Sequence, residues 1–172
     1  MLVTKALKKD RHAAYLRAGR RALLLVGNGG FKETRAGFFL NQYGAAFGGA
    51  IEAHPVFNGI PHEGRFHPGL YQLIAGGGLL EAESMPAWLR ESAVVWGLRL
   101  TGWISPVKDL NKGTHWCEVM ADNQTHFVLC SLDLLADKPE SRYVLAKTLE
   151  YLVSGKAPEK TCTVDALETL LR

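Results

Sequence analysis

His54, His62, Glu63 and His67 fall within fourteen residues, a density of imidazole and carboxylate groups that could hold a metal ion. Zincin-type sites set two histidines four apart on one helix face. Pro55, Pro61 and Pro68 interrupt this stretch, so no helix can run through it. It therefore predicts an ordered loop without a metal. Val56, Phe57, Ile60 and Phe66 would bury and anchor it, and His54, His62 and Glu63 are candidates for contacts to a ligand or a partner surface.

A second candidate is Gly27-Asn28-Gly29-Gly30, which follows the apolar run RALLLV. Gly27, Gly29 and Gly30 would let the chain turn sharply and leave backbone N–H groups facing a ligand. A dinucleotide fingerprint needs a glycine at the sixth position, where Lys32 stands, and the phosphate-loop pattern is absent. The glycines read as a tight turn at the carboxyl end of a strand, and no cofactor is expected. Nucleophilic catalysis has less support still. The strand-to-helix elbow needs Ser or Cys flanked by glycines, and the chain has no such segment. Cys130 reads as core, no two carboxylates form an obvious acid–base couple, and Trp88, Trp96, Trp103 and Trp116 read as packing residues. No catalytic residue is expected.

The elements that would position these groups follow from periodicity. Met1–Leu7 reads as a short strand, Lys8–Ala18 as a helix stopped by Gly19, and Arg21–Val26 as a buried strand. A continuous apolar strand predicts a parallel sheet covered on both faces. Gly48–Ala53 reads as a strand and Leu70–Ala75 as a helix, with residues 79–92 as a connection. Ala93–Leu100, Thr114–Met120 and Thr125–Leu132 are strand candidates, with a hairpin turn over residues 121–124. Thr114–Met120 alternates polar and apolar residues, which predicts one exposed face. Asp137 would cap a helix carrying Leu145, Leu149 and Leu152, and Thr163 would cap a final short one.

The chain has 172 residues, 47% apolar and 22% charged, enough for one globular core. A net charge of +3 is too small to imply nucleic acid. No apolar run approaches the roughly 20 residues of a membrane span, and the N-terminus is too polar for a signal peptide. Cys117, Cys130 and Cys162 do not read as a disulfide framework, which points to a reducing, cytoplasmic setting.

The segment GAIEAHPVFNGIPHEGRF, Gly49–Phe66, resembles a stretch of long bacterial glycoside hydrolase family 2 proteins, the β-galactosidase-like group. Their pattern H-P-x-[FL]-x-x-[FI]-P-H-[ED]-G is filled by His54, Pro55, Phe57, Ile60, Pro61, His62, Glu63 and Gly64. The flanks RALLLV, LCSLDL and RYVLAKTLEYL are also similar, so the resemblance runs from about Leu2 to Val153. In those proteins the segment belongs to an accessory domain similar to class I glutamine amidotransferases.

The resemblance implies an α/β, three-layer, flavodoxin-like fold, with a mostly parallel sheet and helices on both faces. Such domains begin upstream of Leu2. It therefore implies a piece of a larger protein that lacks its first strand and helix, with sheet surface open to self-association or to other domains of the parent hydrolase. Residues 1–155 would form that domain and residues 156–172 a linker and C-terminal helix. The amidotransferase elbow is missing, and the barrel that holds family 2 catalytic carboxylates does not fit in this length. The implied function is a non-catalytic accessory domain of a carbohydrate-active protein, with carbohydrate as its expected small ligand. The alternatives are a small amidotransferase-like hydrolase, or a sugar-binding module similar to trehalose-utilisation proteins.

Overall fold

A computed structural model describes residues 1–5, 7–26, 32–33, 39–41, 45–65, 68–101 and 109–171. The described strands are β1 (Leu2–Thr4), β2 (Ala22–Leu25), β3 (Lys32–Glu33), β4 (Phe39–Asn41), β5 (Ala45–Ile51), β6 (Leu79–Glu81), β7 (Ala93–Thr101), β8 (Asp109–Ala121), β9 (His126–Cys130) and β10 (Thr161–Cys162). The helices are α1 (Lys9–Arg17), α2 (Pro68–Gly76), α3 (Ala87–Arg90), α4 (Pro139–Val153) and α5 (Val164–Glu168). All ten strands join one sheet, ordered β1-β2-β9-β8-β6-β4-β3, with β7 and β10 also on β8 and β5 on β7.

Strand β8 organises this sheet. Thr114 pairs with both Leu80 and Trp96, and Cys117 pairs with both Ala93 and Leu129. One edge of β8 therefore carries β6 and then β9, while the other carries β7 and then β10. Gly113 lies where β6 and β7 both close in. A Cβ there would meet the Leu80 carbonyl oxygen at 2.1 Å, so only glycine fits.

The flavodoxin-like, mostly parallel expectation is corrected. Of nine strand pairings among the described residues, six are antiparallel and three parallel. The apolar run in β2 does pair in parallel with β1 and with β9, as its pattern predicted. The β8–β9 connection is too short for a parallel crossover, which takes a dozen residues or more, so β9 must return antiparallel to β8.

Side-chain alternation divides the core. On one face, Leu16 of α1, Leu89 of α3 and Leu167 of α5 pack with Ala22, Leu24, Val119 and Leu129. On the other, Leu73 of α2, Val144 and Leu152 of α4 and Phe57 pack with Leu23, Leu25, Trp116 and Val128. The end of α1 rests on the β8–β9 hairpin. Asn123 Nδ2 and Thr125 Oγ1 both donate to the Leu16 carbonyl, and Gly19 turns away at φ +65°.

Three local expectations change. Residues 79–92 hold β6, a 3₁₀ turn and α3 rather than a plain connection. Lys138, not Asp137, precedes α4, with Pro139 in its first turn, and Asp137 pairs with Arg142 instead. Thr114–Val119 has no exposed face, because helices cover both sides of β8. Within residues 156–172, β10 pairs with β8, and Thr163 caps α5 by accepting from Ala166 N–H.

Phe57 is 1% exposed and meets the Trp116 ring at 5.5 Å. Phe57→Ala should cost about 3–5 kcal/mol in denaturant unfolding. Gly113→Ala should lower the melting temperature by a comparable free energy, whereas an exposed change such as Glu83→Ala should leave it within about 0.5 kcal/mol.

Candidate functional site

One carboxylate stands in the apolar layer under α4. Glu118 lies on β8 two residues after Trp116, on the same face, and is 2% exposed. His126 on β9 is its diagonal neighbour, since β9 pairs Val128 with Glu118 and His126 with Met120. Helix α4 supplies Tyr151, and the turn after β5 supplies His54. That turn is set by Phe57 N–H donating to the His54 carbonyl, with Phe57 anchored beneath.

The four side chains form one network. His54 Nε2 lies 2.6 Å from Glu118 Oε2, and His126 Nε2 lies 2.5 Å from Oε1. The Tyr151 ring lies edge-on to His54 at 4.8 Å and to His126 at 5.6 Å. Burial alone would raise the Glu118 pKa, but the hydrogen bonds from His126 and His54 hold it down at about 2. Burial first, then the Glu118 charge, push Tyr151 up. An ionised carboxylate only accepts, so both imidazoles donate Nε2–H to it.

The two histidines then differ. His54 Nδ1 accepts from Val56 N–H at 3.3 Å, so both of its nitrogens are engaged. His126 Nδ1 is buried and has no hydrogen-bond partner. The His54 arrangement also disfavours a metal, because a ligating Nε2 would place Nδ1–H against the Val56 N–H. Among the described residues no three His, Cys, Asp or Glu side chains are set to share a metal ion.

A cleft of about 490 Å³ opens onto this network, with His54, Glu118 and Tyr151 among its lining. Glu52, Glu91, Lys156, Glu159 and Lys160 are exposed along it, a rim of mixed charge. The thiols lie elsewhere in their chemistry. Burial pushes Cys117 and Cys130 up to about 12, and burial with the Asp122 charge takes Cys162 to about 11.

Of the residues singled out in the sequence, His54 belongs to the network. His62 and Glu63 do not join it: His62 Nδ1 accepts from Gly64 N–H at 3.0 Å, and Glu63 is exposed at φ +45°. Gly27, Gly29, Gly30, His67, Phe66 and Trp103 lie outside the described residues. Trp116 is fully buried, and Trp88 and Trp96 are half-buried against the core. Glu118, His126 and Tyr151 escaped sequence reasoning. The available signal was an ionisable residue in each of two adjacent strand candidates, THWCEVM and THFVLC, on faces that the apolar flanks would bury.

No protein-family model matches the chain, and no curated protein matches it.

The folded Glu118 pKa lies below the ordinary 4.5. Its contribution to stability is therefore complete above about pH 4.5 and is lost as pH falls towards about 2. Glu118→Gln should flatten that acid limb in pH-dependent urea unfolding and cost about 3–5 kcal/mol at neutral pH. In native protein a disulfide reagent should titrate Cys162 alone, with Cys117 and Cys130 reacting only after unfolding.

Proposed function

We propose that this chain is a non-catalytic ligand-binding domain, taking an uncharged, hydroxyl-rich small molecule of sugar type in the cleft above His54, Glu118 and Tyr151, as an accessory part of a carbohydrate-active protein. The observation that carries this is the cleft itself: a buried, internally paired floor beneath a rim of both charges. Its volume of about 490 Å³ suits a small ligand. Three glutamates and two lysines along it offer acceptors and donors to hydroxyl groups without a strong net field.

The non-catalytic side of the reading is supported by the same floor. His54 has no free nitrogen, and Glu118 already accepts from His54 and His126, one on each oxygen. The high thiol pKa values leave an amidotransferase-like hydrolase without an activated cysteine. The accessory role comes from the resemblance around His54–Gly64, and the mixed sheet removes the flavodoxin-like fold as a reason for it.

The test is a ¹H–¹⁵N titration of the chain with galactose, glucose, lactose and trehalose. One of these sugars should move the amides of Val94, Tyr151 and Lys160, and Glu52→Gln or Lys160→Gln should weaken that binding about tenfold. Shifts confined to other surfaces, or turnover of a sugar by the isolated chain, would contradict the reading.

A further inference from the structure

Asn58 and Gly59 form the tip of the loop that carries His54 and Phe57, and both are exposed. Ile60 N–H donates to the Phe57 carbonyl at 3.1 Å, which closes a β-turn over residues 57–60 with Asn58 and Gly59 at its corners. Gly59 is in the left-handed region at φ +89°, and a Cβ there would meet the Tyr143 hydroxyl at 2.9 Å. The turn therefore requires glycine directly after Asn58. Among the described residues, neither the Asn58 carboxamide nor the Gly59 N–H makes a hydrogen bond. The tether on this peptide group is the Tyr143 hydroxyl, which donates to the Asn58 carbonyl at 3.3 Å, a long bond. Asn123 is the contrast. Its Nδ2 donates to the Leu16 carbonyl, its Oδ1 accepts from Thr125 N–H, and the N–H of its neighbour Gln124 donates to the Ala121 carbonyl at 2.8 Å.

We propose that Asn58-Gly59 is a site of spontaneous covalent modification, in which the Gly59 backbone nitrogen attacks the Asn58 side-chain carbonyl carbon and water converts the resulting cyclic imide to isoaspartate and aspartate. In the first step hydroxide takes the Gly59 amide proton and the N–Cγ bond forms. The Cγ–Nδ2 bond breaks, and ammonia leaves after taking a proton from water. In the second step water adds to one imide carbonyl and cleaves its bond to nitrogen. Opening at the main-chain carbonyl gives isoaspartate, and opening at Cγ gives aspartate. The net change is one water consumed and one ammonia released, with no oxidation or reduction. The attack needs the Asn58–Gly59 peptide group to rotate until its nitrogen faces Cγ. Gly59 has no Cβ to obstruct that rotation, and its N–H gives up no bond. Isoaspartate adds a methylene to the main chain inside the turn, so the Ile60–Phe57 and Tyr143–Asn58 hydrogen bonds cannot both persist. Phe57 N–H donates to the His54 carbonyl, so the change loosens the segment that holds His54 over Glu118.

Incubation of the folded chain in warm, mildly alkaline buffer, followed by peptide mapping, tests this. The peptide that holds Asn58 should convert to the two acid products at a rate within about tenfold of that of the free peptide Val56–His62. Asn123 should stay intact, and Asn58→Gln, which lengthens the side chain by a methylene, should slow conversion at this position by about a hundredfold or more. The sequence repeats the pair at Asn28-Gly29, so melting is compared in an Asn28→Gln background. There the aged protein should melt below both the fresh protein and Asn58→Asp, which carries the new charge without the added methylene. Asn58 left intact, or converted more than about tenfold more slowly than the free peptide, would mean that the turn holds the pair and would overturn the proposal. So would an aged protein that melts with Asn58→Asp. No ligand enters the test, so its outcome is independent of what the cleft binds.

Discussion

A carboxylate in an apolar layer is tolerable only if it stays paired, and Glu118 sets that requirement for the structure around it. Two imidazoles donate to it, one from the turn after β5 and one from β9, and the Tyr151 ring of α4 packs edge-on to both. These are distant parts of the chain, so the ion joins them in a way that plain apolar contacts would not specify. If the turn or β9 shifts, a buried charge loses a donor, which costs more than the loss of an apolar contact of similar area. The network therefore holds α4, the hairpin and the loop in one arrangement.

The position of β8 makes this network reachable from outside. Because β8 is paired along both edges, its central residues are enclosed by strands as well as helices. Past β7, the shorter β10 takes over the edge, and the segment between α4 and β10 supplies Lys156 and Lys160 to the cleft. A second cavity, of about 400 Å³, shares Lys156 and Ala157 with the cleft, yet the cleft has a rim of both signs and this cavity only cations. His54 lines one and His126 the other, each bonded to the same carboxylate.

The resemblance to the accessory domains of family 2 hydrolases rested on a loop motif and on generic flanks. The loop is ordered and anchored by Phe57, as its apolar residues required, and its first histidine is the one the structure puts to use. The fold drawn from the resemblance did not survive, and the reason was already in the chain. A hairpin over residues 121–124 and a mostly parallel sheet are incompatible wherever the hairpin strands sit at the centre, because a short turn can only reverse direction. The apolar runs were sound evidence for β2 and β9, which do lie parallel to each other.

What the sequence determined by itself was local: the helix of α1 with its glycine stop, the buried strands, the Thr163 cap, and a proline-bounded loop with Phe57 inside. Such features depend on periodicity, fixed φ values and short-range hydrogen bonds, all of which act over a few residues. Tertiary structure alone decided that the polar positions of Thr114–Met120 face inward. Alternation reports that the two faces of a strand differ, but not that helices cover both of them. Once α4 covers that face, Glu118 must find donors, and His54 and His126 lie 64 and 8 positions away along the chain, with the Tyr151 ring that packs on both 33 positions away. No spacing rule connects residues so unevenly separated; only the register of β8 with β9 and the packing of α4 bring them together.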